Sequence, residues 1–413
     1  MKKLIGPFRQ IIPLTDIPLR GALQEEQMQI IPNGGILIEG DKILEVDSFD
    51  KLAQNARTVK TEVHLLEGDF VCLPGLIDAH THICFGGSRA MDYAARNAGK
   101  TYLEIARAGG GIWSSVSHTR AASQLELAAG VKKRAQRHLQ EGVTTIEVKS
   151  GYGLNVAQEL KMLRAIAEAN RETQADLIPT CLATHIVPKD FDGDDRAYAE
   201  HIVRELFPLL QDEQLCQRID IFVEETAFSK PVALDYLSEA KRQGFDLTVH
   251  ADQFHTDGSA VAIAVGARSA DHLEASGEAE IKALTQSEVI PVALPGASLG
   301  LGVGFAPARK LLDAGCSLAI ASDWNPGSAP MGDLLMQAAV LGAYEKLNTT
   351  EVFAALTKRA AAALGLSDRG ELQGGKLADF IAFPTDDYRE ILYQQGKLRP
   401  ELVWKRGRGF KSP

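Results

Sequence analysis

Apolar runs bounded by turn residues recur through the middle of the chain, at about 71–83, 142–150, 177–186, 218–227, 245–252, 269–275, 287–296 and 316–324. Runs of this length between turn signals predict buried strands. Between them the period changes: apolar residues recur at three- and four-residue intervals over 122–140, 156–172 and 197–210, which predicts amphipathic helices. Eight strand-then-helix units predict an α/β fold, a (β/α)8 TIM-like barrel, whose functional side chains sit at the C-terminal ends of the strands. The start of the chain has another texture. Short strands at 29–31, 35–40 and 42–46, joined by turns at Asn33-Gly34 and Gly40-Asp41, predict a small β module. Runs at 377–383 and 401–405 share that texture, so the two chain ends are expected to complete one domain. The division expected is 1–73 plus 375–413 for the composite β domain and 74–374 for the barrel.

Three of the strand ends carry residues that can hold a metal ion. The run 71–79 closes on His80-Thr81-His82, and alternate strand residues point to one side, so both imidazoles can approach one ion. An isolated pair of this kind is weak evidence. Its company strengthens it: the run ending in Thr248-Val249-His250 adds a third histidine, and Ala319-Ile320-Ala321-Ser322-Asp323 adds a carboxylate. Glycine-rich stretches at Gly86-Gly87, Gly109-Gly110-Gly111 and 296–304 mark loops on the same face. The first spans roughly 30 residues, long enough to fold as a lid.

Composition narrows the function classes. With 413 residues, 45% hydrophobic and 24% charged, the chain can build one large domain and a smaller one. A net charge of -10 argues against a nucleic-acid or anionic-membrane surface, which needs a basic face. A small anionic substrate stays compatible through a local arginine. The basic Met1-Lys2-Lys3 start lacks the long apolar segment of a signal peptide, and no run of about 18 apolar residues suggests a membrane span, so the cytoplasm is the expected compartment. Five cysteines, scattered and without CxxC spacing, indicate neither a disulfide framework nor a thiolate metal site.

The segment Pro74-Gly75-Leu76-Ile77-Asp78-Ala79-His80-Thr81-His82, a histidine after the fifth strand, another after the sixth in Asp271-His272-Leu273 and an aspartate after the eighth together resemble the amidohydrolase superfamily. Within it, Phe85-Gly86-Gly87-Ser88-Arg89, Glu147-Val148-Lys149-Ser150-Gly151-Tyr152-Gly153-Leu154, Ala183-Thr184-His185 and Ser322-Asp323-Trp324-Asn325-Pro326-Gly327-Ser328 resemble the imidazolonepropionase family. The resemblance implies a barrel with a composite β-sandwich made from both chain ends. It implies ring-opening hydrolysis of 4-imidazolone-5-propanoate to N-formimidoyl-L-glutamate in histidine degradation, with a small anionic imidazolone as partner and a homodimer left open.

The resemblance also assigns residues. His80, His82, His250 and Asp323 would bind one Zn2+ or Fe ion per chain, and an ion so held lowers the pKa of a bound water toward neutrality. Asp323 would act as general base and then general acid, and His272 would steady the oxyanion. Arg89 would grip the propanoate, while Tyr152, His185, Gln253, Asn325, Gly327 and Ser328 would contact ring or tail, the last two through backbone N–H groups. His64, His118, His138, His201 and His255 fit no ligand position. Two departures from wider superfamily patterns matter. No bridging lysine follows the fourth strand, where Ile219 to Thr226 contains none and Lys149 follows the second strand instead, so one metal is expected rather than two. Free-base deaminases of the superfamily typically carry a glutamate three residues after the fifth-strand histidine, whereas this chain has Gln253, which cannot carry a proton. An aminohydrolase acting on a related heterocycle is therefore the runner-up. A non-catalytic assembly module, which needs no ligand set, is the reading from another class.

Overall fold

The computed structural model describes residues 1–56, 60–101, 104 and 107–412. The lid-length loop expected after the first barrel strand is described except at 102, 103, 105 and 106. Its described part contains the helix Ala90–Asn97 and leads into the helix Ile112–Ala121.

Among the described residues, five strands precede the barrel: β1 (Lys2–Ile11), β2 (Ile31–Glu39), β3 (Lys42–Ser48), β4 (Thr61–Leu65) and β5 (Val71–Pro74). The barrel strands are β6 (Leu76–Asp78), β7 (Val143–Lys149), β8 (Asp176–Thr184), β9 (Arg218–Ile221), β10 (Asp246–Ala251), β11 (Ser269–His272), β12 (Ile290–Ala293) and β13 (Ala319–Ile320). The chain ends with β14 (Phe380–Phe383), β15 (Leu402–Lys405) and β16 (Arg408–Lys411). Strands β6 to β13 pair in sequence order, each parallel to the next, as strand-then-helix periodicity predicts. The two end strands meet beyond their C-termini, where Thr81 bridges Trp324, Asp323 N–H donates to the His80 carbonyl and His82 N–H donates to the Trp324 carbonyl. Barrel closure thus falls on the ligand-bearing residues themselves.

The remaining eight strands form one sheet drawn from both chain ends, in the order β16-β15-β14-β5-β1-β2-β3. It forks at β1, whose outer edge takes β4 along residues 2–6 and β5 along 10–11. Its core is Phe8, Ile11, Ile36, Ile38, Phe380 and Trp404, with Phe380 and Trp404 stacked 4.6 Å apart.

Two sequence expectations need correction here. The apolar run 71–83 is not one strand: it leaves the small sheet at Pro74 and enters the barrel at Leu76. Gly75 is the pivot, its N–H donating to Asp379 and its α-carbon packed so close to Thr144 that a Cβ would stand 2.4 Å from Oγ1. Only glycine fits such a contact. Asn33-Gly34 is not a turn either. It lies inside β2 with Asn33 at φ 48°, and the pairing with β1 runs through it in regular register from Phe8↔Gly34 to Gln10↔Pro32. Gly40-Asp41 does connect β2 to β3.

Candidate metal centre

His80, His82 and His250 place their ring nitrogens within 4.8 Å of one another, all buried at the mouth of the barrel. Nε2 of His82 stands 3.2 Å from Nε2 of His80 and 3.3 Å from Nε2 of His250. Oδ1 of Asp323 lies 3.4 Å from His82 Nε2 and 3.6 Å from His80 Nε2. Ligands about 2.0–2.1 Å from a tetrahedral zinc ion stand roughly 3.3 Å apart, so these edges have the size of a coordination shell.

The protonation pattern fits a cation as well. His80 Nδ1 lies 2.7 Å from Asp271 Oδ2, and His250 Nδ1 lies 2.8 Å from Asp220 Oδ2. A ring nitrogen beside a carboxylate carries its proton there, which leaves lone pairs on both Nε2 atoms. Both lone pairs face His82 Nε2, which can donate at most one hydrogen. A cation resolves that opposition. Burial holds His80 and His82 well below the usual imidazole range and His250 down to about 3, so all three are neutral ligands at neutral pH. Burial also lifts the Asp323 carboxyl to about 7 in the metal-free protein.

Beneath this cluster sits a group whose part only the structure reveals. Lys149, fully buried, brings Nζ to 2.8 Å from Glu147 Oε1, 2.9 Å from Asp220 Oδ2 and 3.8 Å from Asp271 Oδ2. Burial alone would lower its pKa, but the charges of Asp220, Glu147 and Asp271 outweigh that and raise it. Asp220 and Asp271 are the carboxylates that orient His250 and His80. Glu147 completes the frame, accepting the Thr81 N–H at 3.1 Å, between the two histidines of β6's end. One ammonium therefore ties together the carboxylates that orient His80 and His250 and the one that holds the backbone at Thr81.

A cavity of about 200 Å³ opens above the cluster, and it is lined by His82, Arg89, Tyr152, His185, His250, Gln253, His272, Asp323, Asn325, Gly327 and Ser328. His80 lies just below this lining, fully buried. His185 donates Nδ1–H to the Gly151 carbonyl at 3.0 Å, and burial lowers its pKa to about 4. Its Nε2 is thereby left as a neutral acceptor. Burial pushes the Tyr152 phenol up, keeping it protonated.

His272 and Asp323 hold backbone conformations that non-glycine residues seldom adopt, with φ of 90° and 51°. Such strain persists where surrounding structure enforces it, and it clusters at functional sites. Glu274, which none of the sequence motifs singles out, lies 3.4 Å from His272 Nδ1. Burial would lower the His272 pKa, but Glu274, Asp323 and Asp271 together raise it, which favours the protonated ring. The sequence signal was available: an acid two residues after a candidate histidine.

The Asn325–Ser328 loop departs from expectation. Gly327 N–H and Ser328 N–H donate to Asn325 Oδ1 at 2.7 and 2.8 Å, so neither is free for a ligand. Asn325 Nδ2 in turn donates to Asp323 Oδ2 at 2.8 Å. The loop spends its polar groups on holding the carboxylate, with Oδ1 left aimed at the histidines. Gly327 meets a different demand: a Cβ there would stand 2.3 Å from Arg89 Nη1.

Comparison with known proteins agrees with this geometry. The amidohydrolase family model matches residues 71–408. The chain is 37% identical to an imidazolonepropionase of Solibacter usitatus, covering 97% of this chain and 96% of the relative. It is 40% identical to one from Deinococcus radiodurans over 92% of each. Among solved structures, atrazine chlorohydrolase TrzN from Arthrobacter aurescens, complexed with zinc, shares the fold with a TM-score of 0.75 at 18% identity, over 98% of this chain and 94% of that one. The chain belongs to the amidohydrolase family and, within it, to the imidazolonepropionase family.

Proposed function

We propose that the chain opens the ring of 4-imidazolone-5-propanoate by hydrolysis, giving N-formimidoyl-L-glutamate, with one divalent ion held by His80, His82, His250 and Asp323. The observation that carries this reading is the meeting of three Nε2 atoms and Asp323 Oδ1 on the floor of a cavity whose rim carries Arg89. A divalent ion bound there supplies Lewis acidity to the attacking water and to the ring carbonyl.

The protein's own groups then divide the work. Asp323 removes a proton from the water as its oxygen joins the ring carbonyl carbon, and returns it to the ring nitrogen as the C–N bond breaks. Asn325 holds the other carboxylate oxygen, so the base keeps its orientation through both transfers. His272, whose protonated form Glu274 favours, hydrogen-bonds the oxygen on which charge develops. His185 Nε2 accepts a ring N–H, Gln253 and Tyr152 border the ring, and Arg89 takes the propanoate. The domain division we propose is 1–73 plus 375–413 for the β domain and 74–374 for the barrel.

The direct test follows imidazolone absorbance together with ammonia. Absorbance should fall on adding the protein, N-formimidoyl-L-glutamate should accumulate, and no ammonia should appear. Stoichiometric ammonia would instead establish an aminohydrolase, against which Gln253 already argues.

A further inference from the structure

The cavity carries a second guanidinium, Arg96, which no comparison and no step described above uses. Arg89, Asp92 and Arg96 lie at three- to four-residue spacing along the lid helix Ala90–Asn97 and its start, so they share one helical face. Their pairings are unequal. Arg89 Nε donates to Asp92 Oδ2 at 2.8 Å, and the same oxygen accepts Gly111 N–H at 2.8 Å, so Arg89 is both fixed and charge-matched. Arg96 donates Nη2 to the Gly327 carbonyl at 3.3 Å and, among the described residues, has no carboxylate within ion-pair distance.

The rim of the cavity therefore holds two cations and one carboxylate, a surplus of one positive charge. In a chain of net charge -10 this surplus is local, and it lies beside Gly327, where both guanidinia converge. A neutral carbonyl at 3.3 Å is a weak partner for a guanidinium, and a carboxylate there would replace it with a stronger, charge-assisted bond.

We propose that Arg96 is a specificity-determining residue: it exchanges the Gly327 carbonyl for the substrate's carboxylate, which is then held between Arg89 and Arg96. This rests on the reading that the substrate is an imidazolone with an anionic tail.

The experiment measures kcat and KM for wild type, Arg96→Met, Arg96→Lys and Arg89→Met on two substrates, the propanoate and its neutral propanamide. Arg96→Met should lower kcat/KM on the propanoate by roughly 30-fold or more, chiefly through KM, as expected for a lost charged contact in a partly desolvated site. On the propanamide its loss should stay below about threefold, and Arg96→Lys should recover part of the propanoate activity. Equal losses on both substrates, or none on the propanoate, would overturn the Arg96 assignment while leaving the functional reading intact. A wild-type protein inert toward the propanoate would overturn both.

Discussion

Asp323→Asn should lower kcat by about 10²- to 10⁴-fold, the range expected when a positioned general acid–base is removed. The reason lies in the two oxygens of this carboxylate. Oδ1 faces His80 and His82, while Oδ2 is bound by Asn325, so the group is both near the reacting water and unable to turn away. Asparagine keeps the shape and loses the proton capacity. Steady-state kinetics on protein whose metal content has been matched to wild type would check it, and Gln253→Ala should lose less in the same assay. Equal kcat for Asp323→Asn and wild type, with metal retained, would remove Asp323 from the proton path.

The second large effect is expected at a buried residue that does not line the cavity. Lys149→Met should destabilise the metal-free protein by about 3–5 kcal/mol, because it strands buried carboxylates without their cation. Glu147, Asp220 and Asp271 all face that ammonium, and none reaches solvent. Adding Glu147→Gln to Lys149→Met should recover part of the loss, since one stranded charge is removed with its cation. Urea unfolding of the three metal-free proteins measures this directly. A single variant within about 1 kcal/mol of wild type would mean that the ammonium contributes little to holding the supports of His80 and His250.

How far such features can be read from sequence depends on their range along the chain. His80 and His82 were legible because strand period puts them on one side at the end of an apolar run, and His250 and Asp323 because they end runs of the same kind. The network beneath them was not legible. Lys149, Asp220 and Asp271 belong to β7, to β9 and to β11, and only barrel closure brings their charges within 4 Å. The run 71–83 misled for a related reason: hydrophobicity records burial, and both sheets bury their strands, so the handover at Gly75 leaves no mark in the pattern. The strand β1 escaped notice because Lys2, Lys3, Gly6, Pro7 and Arg9 break its apolar character. Loop chemistry was half legible. The resemblance brought Asn325, Gly327 and Ser328 to the cavity wall, but the Gly327 and Ser328 N–H groups turn to Asn325, and Asn325 in turn holds Asp323. Arg96 could have been found, since it repeats the face of Arg89 two turns later.

In the proposed reading, one cation held by three neutral imidazoles and a carboxylate makes this cavity a hydrolase. Metal analysis of the purified protein, joined to turnover of 4-imidazolone-5-propanoate before and after chelation, tests it most directly. Close to one Zn2+ or Fe ion per chain is expected, with loss of turnover on removing the metal, recovery on adding it back, and neither metal nor turnover in His80→Ala. Two tightly held ions per chain, or full activity after exhaustive chelation, would contradict it.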